Sequence, residues 1–313
     1  MALIETTAPE AVTVAPTTTD TVGVNRRGLL SSVGVGAAGA LTVGALAATG
    51  IAASTVPAQA QSVSDADIVN FALNLEYLEA EFYLRAVTGK GLAAGDVTGT
   101  GTQGSVTGGS AVPFKTAQYA SLAAAITIDE QAHVKFLRSA LGSAAVAEPQ
   151  IDFTTAFTTL ALGAGLIVPG QTFNPFADEI SFLLGAFIFE DVGVTAYGGA
   201  AALLVSKQIL SYAASVLAVE AYHAGAIRAN LYNIGGGKAV QAISNLRGSL
   251  STASGGFSGD QGILKANGTD IQIAPVDDQA QTFRRTTTQV LSIVYGGPKA
   301  GLFFPNGMNG LIK

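Results

Sequence analysis

The sequence predicts an all-α protein, a four-helix bundle with one long crossover between its second and third helices and a loop-rich C-terminal extension. Three observations predict it. Four apolar-periodic stretches of helical length lie between residues 65 and 233, and a proline-containing connection over 143–173 divides them into two pairs. The second member of each pair carries a Glu-x-x-His, at Glu130/His133 and Glu220/His223.

The elements follow in order. Ser64-Asp65-Ala66-Asp67 reads as an N-cap with an acid three residues on, and the periodicity that follows places a first helix over 65–88, ended by Gly89. Residues 89–112 are rich in Gly, Thr and Ser and have little to bury, so they form a loop or small excursion. Pro113 opens a second helix running to Gly142, with Lys135 and Arg138 in its later turns as the helix dipole prefers. The connection over 143–173 contains Pro149 and Pro169 and a short helix near 153–162. Asn174-Pro175, a cap and a first-turn proline, starts a strongly apolar third helix that runs to about Ser206. The fourth begins near Lys207 and ends by Gly235-Gly236-Gly237. Residues 234–276 read as loop-rich, 277–295 as a fifth helix packed outside the bundle, and 296–313 as a Gly/Pro tail. The domain boundaries are therefore 61–233 for the bundle and 234–313 for an extension packed on it.

Composition narrows the chemistry. At 313 residues and 49% hydrophobic content, the chain supports one sizeable core. It contains no cysteine, which excludes disulfides, thiolate metal sites, Fe–S clusters and cysteine nucleophiles. Net charge is −6 with no basic run beyond residue 60, so nucleic acid is not an expected partner. Only 12% of residues are charged, so an acid inside an apolar stretch is informative. A buried carboxylate is costly unless it is paired or bound to metal.

Residues 1–60 read as an address. Asn25-Arg26-Arg27-Gly28-Leu29-Leu30 precedes an uncharged Ala/Gly/Leu/Val stretch that ends in the small-x-small site Ala58-Gln59-Ala60. The arginine pair resembles a twin-arginine (Tat) signal. It implies the Tat export machinery and signal peptidase as partners, cleavage after about Ala60 and a periplasmic destination. An uncleaved anchor is the alternative, since the stretch from Ser32 to Ala53 is long enough to span a bilayer.

Both histidines of the chain lie three residues after a glutamate, a spacing that puts each pair on one helix face. Glu-x-x-His on two helices, with one Glu from each of two others, is the ligand set of dimetal carboxylate bundles. The other two helices do offer glutamates within apolar faces, Glu76 in the first and Glu190 in the third. Tyr83 follows Glu76 by seven residues and Tyr197 follows Glu190 by seven, about two turns, so each tyrosine shares its glutamate's face. The two halves thus match in order, a Glu with a later Tyr and then Glu-x-x-His. Taken singly, each part has an ordinary reading as a solvated pair, an interface charge or a core tyrosine; their order and their use of every histidine favour a metal set. Glu79, one turn beyond Glu76, is an alternative ligand, and the tyrosine spacing favours Glu76. Glu81 falls on another face and reads as solvated. Asp129 and Asp191 are candidate acceptors for the histidine N–H groups, with surface carboxylates as the alternative.

At these residues the chain resembles the ferritin-like superfamily, and in particular bacterial ferritin-like proteins related to plant desiccation-related proteins. The resemblance is carried by 74–83 (NLEYLEAEFY), 190–197 (EDVGVTAY), 219–228 (VEAYHAGAIR), 285–295 and the tail 301–310 (GLFFPNGMNG), and it covers most of 62–313. It implies two Fe or Mn ions held by Glu76, Glu130, His133, Glu190, Glu220 and His223. The Cys pairs of a rubredoxin-type iron, present in full rubrerythrins, are missing here.

Carboxylate and imidazole ligands suit Fe(II) and Mn(II). The expected function is an exported dimetal oxidoreductase of peroxidase, catalase or ferroxidase type, reacting with H2O2 or O2 or oxidising Fe(II). In it Glu130 and Glu220 bridge, the histidines terminate, and Tyr83 or Tyr197 supplies a hydrogen bond or quenches a radical. The rival expectation is a non-catalytic stress or desiccation-protection protein in which metal only staples the bundle. A hollow storage shell is disfavoured by the loop insertion and tail, whereas a small homo-oligomer is compatible with the sequence.

Overall fold

A computed structural model describes residues 63–255 and 259–313. Residues 1–60, expected from sequence to be a Tat-type signal with cleavage after about Ala60, therefore lie outside the described residues. The protein is mostly helical, with α1 (Asp65–Thr88), α2 (Ala117–Leu141), α3 (Ala156–Gly163), α4 (Glu179–Ala201), α5 (Lys207–Asn233), α6 (Gly237–Ala253) and α7 (Thr287–Val294). Helices α1 and α2 pack as one pair and α4 and α5 as another, with α1 against α4. The four-helix bundle with a single long crossover is as the sequence predicts, and α3 is the short helix within that crossover.

Local chemistry fixes the element ends. Ser64 and Asp67 form a complete capping box at α1, and Gly89 closes it in the left-handed conformation at φ 73°. The second helix begins four residues after Pro113, because the Glu179 carboxylate holds the segment before it extended. It accepts from the backbone N–H of Lys115 and Thr116 at 2.8 Å each and from the Thr116 hydroxyl at 2.7 Å. The third bundle helix is not capped by Asn174. Asn174 folds a turn by accepting from Phe176 N, and Asp178 caps α4 by accepting from Ile180 N and Ser181 N at 2.9 Å. Helix α4 is long and apolar enough to cross a membrane but is largely buried within the protein, where it serves as the central core helix.

The C-terminal region departs from the expectation. Residues 237–253, read as loop, form α6, which buries Val240, Ile243, Ser244, Arg247 and Ser251 along one face. A stripe containing an arginine and two serines does not read as a core face. The predicted fifth helix over 277–295 shortens to α7, since Asp277 accepts from Gln279 N and Gln281 N in a turn and Thr286 starts the helix with its own capping box.

Buried charge on α4, α5 and the extension binds the three together, Arg228 of α5 also donating to the Gly262 and Gln272 carbonyls. Arg228 and Arg247 each donate to Asp191 at 2.8 Å, Arg247 donates to Asp260 at 2.9 Å, and Arg285 donates to Asp260 at 2.5 Å and to the Thr195 hydroxyl at 2.8 Å. Asp191 is therefore occupied by arginines and is not a histidine acceptor.

On the other side of the core, Phe82 stacks on Phe182 with centroids 5.5 Å apart, and Phe303 of the tail sits 5.1 Å from Phe157 and 5.0 Å from Phe189. Each such ring contributes roughly 1.5–3 kcal/mol by burial. The tail also pins α1, since Asn309 N donates to the Asn74 side chain while Asn74 Nδ2 donates back to Asn309 O. The Gly-rich excursion is tied to the crossover by a two-residue parallel pairing of β1 (Val106–Thr107) with β2 (Ile151–Asp152). It also folds over Glu81, which is buried rather than solvated. The Glu81 carboxylate pairs with Arg85 at 2.8 Å and accepts from Leu92 N at 2.7 Å. A side chain at Gly91 would collide with that carboxylate, which is why this stretch of loop needs glycine.

Candidate metal centre

The four bundle helices bring all six predicted ligands to one buried region. Glu76 comes from α1, Glu130 and His133 from α2, Glu190 from α4, and Glu220 and His223 from α5; the four glutamates are fully buried and the histidines nearly so. Two groups form. Glu76, Glu130, His133 and Glu220 offer ligand atoms within 4.8 Å of one another, as do Glu130, Glu190 and His223.

The histidines face their groups through Nδ1. His133 Nδ1 lies 3.2 Å from Glu76, 3.5 Å from Glu130 Oε2 and 3.7 Å from Glu220. His223 Nδ1 lies 3.1 Å from Glu130 Oε1 and 3.4 Å from Glu190. The two imidazole centroids are 6.5 Å apart, so the groups adjoin. Glu130 turns one oxygen toward each histidine and belongs to both groups; Glu220 is grouped only with the first. Glu130 is thus the carboxylate that has an oxygen in each group, whereas Glu220 faces one.

These atoms converge without satisfying each other. One oxygen each of Glu76 and Glu190, both oxygens of Glu130 and Glu220, and Nδ1 of both histidines are buried without a hydrogen-bond partner among the described residues. Orphaned buried acids on this scale would be severely destabilising if charged and unpaired. A cation at each convergence point removes that penalty, and an all-O/N donor set suits Fe(II) or Mn(II). The residues therefore fit a metal pair and could hold one.

The remaining oxygens are held in place. Tyr83 on α1 donates to Glu190 Oε1 at 2.5 Å, and Tyr197 on α4 donates to Glu76 Oε1. Burial, reinforced by the neighbouring carboxylates, lifts both phenol pKa values well above the usual tyrosine value, so both remain donors. Asp129, half exposed, sits 3.1 Å from His223 Nε2 and can fix that ring with Nδ1 inward, the role suggested for it by sequence.

The electrostatics without metal are strained. Burial raises Glu130 to about 7, with the Glu76 charge adding to it. Burial opposes ionisation of Glu76, but the His133 charge beside it outweighs this and lowers its pKa. Burial also opposes the charge on His133 and His223, yet the surrounding glutamates carry them to about 10 and about 11.

Two residues join the picture that the six-ligand pattern omits. Glu79, the alternative to Glu76, is buried beside the site but belongs to neither group; burial and the Glu130, Glu76 and Glu190 charges raise its pKa well above normal. Gly193 on α4 is the second. Any Cβ there would strike Glu220 Oε2 and approach Glu79 Oε1 at 3.5 Å, so this glycine makes room for the acids. The signal was present as a lone glycine two residues after the Glu190-Asp191 pair in an apolar helix.

A bundle with a single long crossover and two adjoining buried Glu/His groups defines a ferritin-like protein. The Ferritin-like domain family matches residues 64–233, and the chain belongs to that family. It is similar to a desiccation-related protein of Craterostigma plantagineum, 34% identical over 180 residues that cover 54% of this chain and 53% of the relative. The chain thus spans about half the length of that relative. It is also similar to a ferritin-like catalase of Nesocodon mauritianus, 28% identical over 279 residues, 80% of this chain and 85% of the relative.

Proposed function

We propose that this protein is exported and holds two Fe or Mn ions between its helices, with Glu76, Glu130, His133, Glu190, Glu220 and His223 as ligands, to consume hydrogen peroxide. One observation carries this reading above the others: Glu130 presents its two oxygens to two separate convergence points of buried, unpartnered ligand atoms. The similarity to a protein named as a catalase extends along most of both chains and supports peroxide as the substrate. Export is supported by the Arg26-Arg27 pair and the apolar stretch after it.

Two adjacent Fe or Mn ions would supply the paired electrons that cleavage of an O–O bond requires. The chain's own contribution is positional. Glu130 fixes the spacing of the two points, while Tyr83 and Tyr197 engage the outer oxygens of Glu190 and Glu76 and leave the inner ones free. Packed α1 and α4 exclude bulk water, which strengthens every charge interaction inside. Burial and the neighbouring acids raise the Glu79 carboxyl well above its ordinary value beside Glu220.

The test is O2 evolution from H2O2 by metal-loaded protein. Glu220→Ala and His223→Ala should each reduce it by more than about 100-fold, beyond what a merely supporting residue costs. Equal rates in wild type and variants would refute the catalytic reading. Fe(II) oxidation by O2 is measured alongside as the other reaction this donor set supports.

The similarity to a protein named as desiccation-related favours a second reading, a non-catalytic protective protein whose metals brace the bundle. It predicts bound metal, no turnover, and a large loss of thermal stability on chelation.

A further inference from the structure

A cavity of about 260 Å³ lies at the end of the bundle where α1 and α5 begin and α2 and α4 end, and no role in the metal centre uses it. All four bundle helices line it, through side chains such as Ala72, Leu137, Tyr197 and Val216. Among the described residues, no charged side chain contributes to the lining. The side-chain polar atoms that the described residues place there are the hydroxyls of Tyr197, already donated to Glu76, and of Tyr212, which is partly exposed.

Its position is specific. Ala72 lies one turn before Glu76, Leu137 one turn after His133, and Val216 one turn before Glu220, so the cavity sits directly over the first ligand group. Buried Tyr197 forms part of its wall on that side. Close to it in sequence, Leu203 and Val205 are 53% and 88% exposed, giving the outer region an apolar character.

We propose that this cavity is a binding site for a neutral aliphatic molecule of about ten carbon atoms, a size scaled from the roughly 150 Å³ apolar cavity that accommodates benzene. The molecule's end lies toward Tyr197. A charged head group finds no counter-charge on the lining, so an alcohol-like terminus fits and a carboxylate does not. One turn of a helix from a second copy, about 10 Å across and about 5.4 Å long, occupies roughly 400 Å³ and exceeds the cavity, whereas a single alkyl chain does not. The inference rests on the cavity alone and stands or falls separately from the metal reading.

The experiment is calorimetric titration of the full chain, metal-free and metal-loaded, with 1-hexanol, 1-decanol, 1-tetradecanol and decanoate. One saturable 1-decanol site per chain is expected in both forms, with 1-hexanol, 1-tetradecanol and decanoate binding more weakly. Ala140→Trp and Ala213→Trp, which add bulk at the exposed and the half-buried rim of the cavity respectively, should weaken 1-decanol by roughly tenfold or more while keeping the wild-type helix content. Absence of saturable binding overturns the proposal, as does undiminished binding in both folded variants. Should neither variant fold, the chain-length series in the wild type decides, because affinity that rises steadily to tetradecanol marks nonspecific partitioning and also overturns it.

Discussion

The Tyr83 hydroxyl on α1 donates a 2.5 Å hydrogen bond to Oε1 of Glu190 on α4, while Tyr197 on α4 donates to Glu76 on α1. Each tyrosine serves the glutamate of the opposite helix rather than its own. The exchange links the two helical pairs across the core and fixes which carboxylate oxygen remains free. Tyr83→Phe leaves the ring packing in place and removes the donor to a buried carboxylate. It should lower unfolding free energy by about 1–3 kcal/mol, measured by urea denaturation of the metal-free protein. No change would mean that the bond contributes nothing net.

In the proposed metal centre, metal and protons compete for the same atoms. In the metal-free state His133 and His223, with pKa values of about 10 and about 11, carry protons at pH 7.5 that a metal must displace from Nδ1. Affinity should therefore fall as pH falls, with net proton release on binding. Calorimetry in two buffers of different ionisation enthalpy measures that release directly; zero release would show that metal displaces no proton from either imidazole.

Glu148 offers a test away from the proposed metal centre. Burial and then the Glu81 charge raise its carboxyl to about 8, against a partial offset from Arg85. A raised folded-state pKa means the folded protein binds more protons than the unfolded chain between about 4.5 and about 8. The stability this group contributes is therefore complete at the acid end of that window and lost as pH rises through it. Glu148→Gln should match wild type at pH 5 and exceed it above pH 8 by about 1–3 kcal/mol, the cost of an unsatisfied buried polar group. Thermal melts across that range give the comparison, and an effect confined to low pH would contradict it.

Asp260 lies between Arg247 and Arg285 and joins α6 to the segment that leads into α7. Asp260→Ala leaves two buried guanidinium groups short of charge and should destabilise the protein by about 3–5 kcal/mol. Denaturation of the variant measures this, and a loss below 1 kcal/mol would show that Asp191 alone suffices.

Most of the bundle was legible because its helices carry complete local signals, such as the Ser64/Asp67 box and Gly89 at the ends of α1. The candidate site was legible because i, i+3 spacing on two helices and single acids in apolar faces are one-dimensional patterns. What escaped depends on distant partners. Glu81 looks exposed until the loop containing Gly91 folds over it. Asp191 looks like a histidine acceptor until Arg247 arrives from α6, and α6 is hard to read because that same arginine lies on its buried face. The crosswise use of Tyr83 and Tyr197 is likewise set by how α1 and α4 face each other, which spacing within one helix does not encode.

Metal stoichiometry decides whether Glu130 joins two metal positions. Elemental analysis of protein purified from its own host should find two Fe or Mn per chain. After saturation with either metal, Glu190→Ala should keep one ion and Glu130→Ala should keep less than one. Wild-type protein with no bound metal, or Glu130→Ala retaining two ions, would contradict the account.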